Sequence, residues 1–203
     1  MNEIVLRGIV RNLKTSHVTN GVEYLQAELI TQRRDKKEDS VIIKFKKHIN
    51  RYKELDKVEL VGNIRSYSEK LPDGKNKVHI YVFTYQDMPD YREEEEEINN
   101  RFSIDGRICK IEELRTTSSG KQNIHFIIAN NIFSPTGSQK INNYLPSTCW
   151  GKIARQVSEM SVGDRVVARG ELHSRVYSKL NSKEEQEYAV AHELLITHIE
   201  KVD

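Results

Sequence analysis

Residues 162–177 read VGDRVVARGELHSRVY, and residues 55–67 read LDKVELVGNIRSY. Both run Asp, a basic residue, Val, three residues and Gly: Asp56-Lys57-Val58 to Gly62, and Asp164-Arg165-Val166 to Gly170. Other landmarks recur in the same order around these two stretches. Gly8 and Gly106 sit in the strand-like openings IVLRGIVRNL and FSIDGRICKI. Gly21 and Gly120 precede the apolar runs VEYLQAELI and KQNIHFIIA, and Phe45 and Trp150 each close a third run. The offset between copies grows from 98 to 99, 105 and 108 residues, as short loop insertions would make it. The chain reads as one unit written twice.

Each unit has the same coarse pattern. Two strands joined by a Gly-bearing turn come first, at 4–13 and 22–31 or 102–111 and 123–131. A polar loop follows, RRDKKED in the left half and SPTGSQKINN in the right. A third strand runs into a short helix near 46–55 or 152–160. A fourth strand carries the Gly, and a last strand lies at 78–83 or 187–195. Five strands with one helix after the third match the oligonucleotide/oligosaccharide-binding (OB) barrel. The fold expected is all-β dominated: two tandem five-stranded OB-fold barrels, each with a short helix after strand 3. Helices are too few and connections too short for a doubly wound α/β sheet.

Charge divides the chain in the same way. Lys plus Arg minus Asp plus Glu is 17 − 12 = +5 over residues 1–88, 1 − 6 = −5 over 89–98, and 14 − 12 = +2 over 99–203. The domains expected are a basic, divergent barrel at 1–88, an acidic linker at 89–99 containing REEEEE, and a second barrel at 100–203. With 37% hydrophobic and 31% charged residues, two modest cores suit the chain better than one deep one. No apolar run approaches the ~20 residues of a membrane span, so a soluble chain with no membrane partner is expected. Cys109 and Cys149 stand alone, which predicts reduced thiols in a cytoplasm.

Catalytic and metal readings find little support. The seven histidines include no His-x-x-x-His pair and lie far from the cysteines, so no zinc site is expected. There is no Gly-x-x-x-x-Gly-Lys-[Ser/Thr] loop and no Gly-x-Ser-x-Gly elbow. The reading is of a protein that is not an enzyme and takes no cofactor. A nuclease with scattered carboxylates is the weak alternative.

The right half resembles the bacterial single-stranded DNA-binding proteins. Their third strand and following turn carry an aromatic, five residues, a second aromatic and Gly-Lys-Leu-Ala. Tyr144, Trp150, Gly151, Lys152, Ile153 and Ala154 fall on those positions. Gly163, Gly170, Arg175 and Tyr177 match the family's fourth strand, and Gly120, Phe126, Ala129 and Phe133 its second strand and loop. The resemblance covers most of residues 101–195 and thins on the left. There Phe45 takes the place of Trp150, and Asp39 stands where Tyr144 does. The family's acidic-tipped tail has no counterpart after LLITHIEKVD, which sets the resemblance against a partner-recruiting role.

The resemblance implies sequence-tolerant binding of single-stranded DNA in replication, recombination or repair. Such a binder needs cations along the backbone and flat π-faces for the bases. The residues expected to supply them are Trp150, Lys152, Tyr144, Phe133, Tyr177 and Arg175 in the right half. In the left half they are Phe45, Lys44, Lys46, Lys47, Arg33, Arg34 and Arg65. Tyr24, Tyr81, Phe83 and Phe126 are read as core. Stacking plus charge does not separate RNA from DNA. Two chains would supply the four barrels that one-domain relatives reach as tetramers, so a homodimer in the cytoplasm, associated with the nucleoid, is expected. The alternative is an assembly module of a primosome or recombination complex, binding mainly replication or recombination proteins.

Overall fold

Along Glu38–Lys46, Val41, Ile43 and Phe45 are buried while Ser40, Ile42 and Lys44 between them are not. This is the period of a strand with one face on a core. The computed structural model describes residues 1–203 except 34, 50–51, 72–73, 75, 89–99, 134–139, 181–185 and 203. The acidic linker expected at 89–99 lies outside the described residues.

The first half contains β1 (Asn2–Thr19), β2 (Val22–Gln32), β3 (Glu38–Lys46), β4 (Lys57–Lys70) and β5 (Asn76–Met88). The second contains β6 (Asn100–Ile111), β7 (Arg115–Thr116), β8 (Gln122–Phe133), β9 (Lys140–Trp150), α1 (Gly151–Ser158), β10 (Arg165–Leu180) and β11 (Gln186–Val202). In the first half β1 pairs antiparallel with both β2 and β4, β3 runs parallel to β5, and β4 pairs with β5. The five strands therefore close on themselves. In the second half β6 pairs with β8 and β10, β9 runs parallel to β11, and β10 pairs with β11, which closes a second ring. Among the described residues the structure is mostly strand with one short helix, consistent with the OB fold.

The glycines that mark the repeat sit where the ring needs them. A Cβ on Gly8 would lie 2.3 Å from the Ile30 carbonyl oxygen, and one on Gly106 2.7 Å from that of Ala129. Gly62 and Gly170 each sit at a register shift between the fourth and fifth strands, where a Cβ would strike the Phe83 or Leu195 carbonyl. At each shift the partner strand carries one extra residue, as a β-bulge does where a strand curves around its ring.

One end of each ring is plugged differently. Ala154 and Val157, a helical turn apart on α1, are buried over the second core. The helix expected near residues 46–55 is absent among the described residues. Lys47–Ile49 form a turn instead, and Leu55 takes a positive φ of 74° that helix does not permit. Tyr52 does the plugging there, edge-on to Phe45 with ring centroids 4.9 Å apart.

The halves are joined by β1 and β6, paired antiparallel about Ile4 and Phe102. Around that pair the contacts repeat reciprocally. The Ser174 backbone N–H donates to Asp39 Oδ1 at 2.5 Å, and the Ser66 N–H donates to Asn143 Oδ1 at 3.0 Å. Ser40 N–H donates to Ser174 Oγ at 2.9 Å, and Tyr144 N–H to Ser66 Oγ at 2.8 Å. A contact in which each side gives what it receives is the signature of a two-fold interface, here built within one chain.

Candidate nucleic-acid interface

The platform is the outer face of the β8/β9 hairpin. On β8, Ile124, Phe126 and Ile128 point into the core, which turns Asn123, His125, Ile127, Ala129, Asn131 and Phe133 outward. Their cross-strand partners on β9 are Trp150, Thr148, Pro146, Tyr144, Asn142 and Lys140. Paired residues share a face, so Phe133, Tyr144 and Trp150 stand along one surface. They are 68%, 55% and 44% exposed, unusually open for large aromatics. At about 3.3 Å per residue, Trp150 and Tyr144 stand roughly 20 Å apart.

Cations flank the row. Lys140 lies opposite Phe133, and Lys152 is exposed on the first turn of α1, two residues beyond Trp150. Gly151 makes that turn with φ +59°, a conformation side chains seldom adopt. Trp150 caps the helix through its backbone alone, so its indole is not spent on a capping bond. Further out, β10 and β11 form a long arm. Arg175 is exposed and Tyr177 half-buried on one face, while Val176, Tyr188 and Val190 are exposed on the other.

The left half departs from expectation at Phe45. Ile30 meets Gly8 as Ala129 meets Gly106, which fixes Ile30 as the counterpart of Ala129. Ile30 pairs with Ser40 and Tyr24 with Lys46, just as Ala129 pairs with Tyr144 and Asn123 with Trp150. Lys46 therefore occupies the Trp150 position, Ser40 that of Tyr144, and Phe45 that of buried Cys149. Phe45 is 0% exposed and is a core residue, not a stacking residue. Asp39 likewise matches Asn143, and both are buried at the junction of the halves.

The left-half cations meet different fates. Arg33 is ion-paired with Asp39 and donates to the Ser174 carbonyl, so it fastens the two halves instead of standing free for a phosphate. Arg65 is packed 4.0 Å from the Phe83 ring centroid, and burial pushes its guanidinium down, so it too is no free phosphate contact. Lys47 is exposed and bound to Glu23. Lys46 is half-buried on the outer face, and Arg34 lies outside the described residues. Lys44 Nζ sits 4.6 Å from the Tyr81 ring centroid and 5.4 Å from that of Tyr67, and burial lowers its pKa.

Lys44 thus marks an aromatic cluster that sequence reading missed. Tyr67 stacks on His79 at 4.7 Å and 7°, and Tyr24 on His17 at 4.6 Å and 5°. Tyr67 is 49% exposed, and Tyr24 and Tyr81 are half-buried on the outer face rather than in the core; Phe126 is in the core as expected, while Phe83 is buried on the outer face beneath Arg65. The available signal was the β-branched set Ile80 and Val82, which takes the inside of β5 and turns residues 79 and 81 outward.

Cys149 is buried, its thiol pushed up to about 12, and Cys109 is exposed; both are free. Among the described residues no helix is long and apolar enough to cross a membrane.

Comparison with known proteins finds the same fold. The wild-type single-stranded DNA binding protein from Thermus aquaticus superposes with a TM-score of 0.71 at 15% identity, covering 100% of this chain and 93% of that one. A deletion mutant of the same Thermus protein gives 0.71 at 13% identity, covering 100% and 94%. At those identities the likeness shows a shared fold. Comparison with curated protein sequences gives no match. The profile of the single-strand binding protein family matches residues 99–200, half of the chain and all of the platform. The chain therefore belongs to the single-strand binding protein family, whose members bind DNA without catalysing a reaction.

Proposed function

We propose that the protein binds single-stranded DNA with little sequence preference, stacking bases on Trp150, Tyr144 and Phe133 and holding phosphates with Lys140, Lys152 and Arg175. The observation that carries this reading is the row of three open aromatics on one sheet face beside exposed cations. An aromatic left in water on a strand face is an unsatisfied apolar surface. A nucleobase covers it and is indifferent to base identity, because every base has a π-face. Tyr177, on the same face of the arm as Arg175, would extend the path.

The rest of the reading follows from the repeat. The two closed rings act as tandem OB barrels at 1–88 and 100–203, tied by the acidic segment 89–99. The first barrel contributes Lys44, Lys46, Lys47 and the Tyr67 cluster, more by charge than by stacking. Two chains would present four barrels, in a cytoplasmic complex serving replication, recombination or repair. The exposed apolar face of the arm, with Val176, Tyr188 and Val190, favours a second role in contact with protein partners, as an assembly module would need.

The decisive experiment is quenching of Trp150, the single tryptophan, by oligo(dT), oligo(U) and duplex DNA across a salt series. Strong quenching by single strands that survives moderate salt supports stacking. Unchanged fluorescence on saturation removes the proposal.

A further inference from the structure

Between Trp150 and Tyr144 the platform is not uniform. A cleft of about 230 Å³ opens there, lined by Lys110, Glu112, His125, Pro146, Thr148 and Glu193 among others. It is smaller than the roughly 300–1,000 Å³ of small-molecule pockets, a size suited to the edge of a base and not to a separate ligand. Thr148 and Pro146 lie on β9 between the two aromatics and face outward with them. A strand stacked on both must cross it.

Hydrogen bonds give the cleft a direction. Thr148 Oγ1 is 2.9 Å from Glu193 Oε2 and 2.7 Å from His125 Nδ1. A carboxylate only accepts, and a hydroxyl has one proton. Thr148 therefore donates to Glu193 and accepts from Nδ1–H of His125. The other ring nitrogen, Nε2, faces the Asn123 amide at 3.4 Å. Thr148 is 4% exposed, so this orientation is held by packing. The second acid of the cleft, Glu112, is ion-paired to Lys110 and Arg115. Glu193 has no cationic partner among the described residues, and its Oε1 has no hydrogen bond among them.

We infer that Glu193 reads the edge of one base, favouring cytosine, adenine or guanine over thymine. This rests on the reading of the β8/β9 face as the DNA platform. A bare carboxylate repels a phosphate and demands a donor. Cytosine and adenine offer an exocyclic amino group, and guanine another beside its ring N–H, while thymine's one donor, N3–H, lies between two carbonyl oxygens that repel a carboxylate. Thr148 and His125 are positioning residues that aim the carboxylate. The protein would then coat most sequences while binding oligo(dC) better, relative to oligo(dT), than stacking alone provides.

The test compares (dC)n and (dT)n of equal length by fluorescence anisotropy at one fixed salt concentration, in the wild type, Glu193→Gln, Thr148→Val and Trp150→Ala. The dC/dT affinity ratio is expected to fall about fivefold or more in Glu193→Gln, the low end of what a base-reading pair contributes. Thr148→Val keeps the carboxylate but frees it, and should lower the ratio part of the way. Trp150→Ala should weaken both oligomers alike. An unchanged ratio in Glu193→Gln, or in Thr148→Val should the first variant not fold, overturns the inference. If Trp150→Ala leaves both affinities as they were, the platform reading fails instead.

Discussion

Phe45 and Trp150 close equivalent runs of sequence, yet one lies at 0% and the other at 44% exposure. A strand's side chains alternate, so a slip of one residue in register exchanges faces completely. The two residues therefore answer to different measurements. Trp150→Ala removes a stacking surface and should weaken single-strand binding by ~1–3 kcal/mol, with the denaturant midpoint nearly unchanged. Fluorescence anisotropy against oligo(dT) reads the first effect and urea unfolding the second. Phe45→Ala reverses the pattern. It empties a site packed against Tyr52 and should cost ~3–5 kcal/mol of stability, seen as a lowered urea midpoint. Its affinity for DNA, measured where the variant is still folded, should stay close to wild type.

At the scale of elements, the two halves solve one chain-path problem with different residues. Val10 N–H donates to the Asp56 carbonyl as Ile108 N–H does to that of Asp164, and Leu55 N–H donates to the Val10 carbonyl as Gly163 N–H does to that of Ile108. Both Leu55 and Gly163 take positive φ, 74° and 100°. For Gly163 this is ordinary, whereas Leu55 bears a cost of ~1–2 kcal/mol for a left-handed conformation. Leu55 is 56% exposed, so little packing is lost by trimming it. Leu55→Gly should raise the unfolding free energy by ~0.5–1 kcal/mol, the relief less the entropy a glycine gains when unfolded, seen as a higher urea midpoint. A drop in midpoint would show that the strain is not real. This pair also shows what was legible. The order of Gly8, Gly62, Gly106 and Gly170 disclosed both rings, because each glycine answers a steric demand that no other residue meets. The polar and aromatic residues answer softer demands. Tyr52 plugs the first core without any periodic signal, and the register of Phe45 could be settled only by its pairing with Leu25. Tyr67 and His79 meet across two strands 12 residues apart, a contact that alternation permits but does not announce.

The whole molecule imitates a dimer, and its two reciprocal contacts are not chemically equal. Asn143 serves one side, while Asp39 with Arg33 serves the other, joined by His192 against the Ser40 carbonyl at 2.7 Å. That difference makes the junction acid-sensitive. Burial alone would push the Asp39 carboxyl up, but the Arg33 guanidinium and the Ser174 N–H outweigh it and hold it below the usual carboxylate range. Its contribution is therefore complete above the unfolded pKa of about 4 and is lost as pH falls through the lower, folded value. His192 is pushed down by burial, although Ser40, Asp39 and Glu28 pull the other way. Neutral in the fold, it gains a proton on unfolding below about pH 6.5, so its contribution also declines toward acid. Stability should fall first as pH drops below about 6.5 through His192, and again below about pH 4 through Asp39. His192→Gln, whose amide can still donate to Ser40, should flatten the first decline. Asp39→Asn keeps an acceptor for the Ser174 N–H, as Asn143 does for Ser66, but strips Arg33 of its charge partner. It should lower stability at pH 7 by about 1–3 kcal/mol and remove the second decline. Urea midpoints from pH 7.5 to 3.5 for the three proteins measure all of this. Parallel curves would show that the junction does not govern the acid response, and that the two halves are held together chiefly by the β1–β6 pairing.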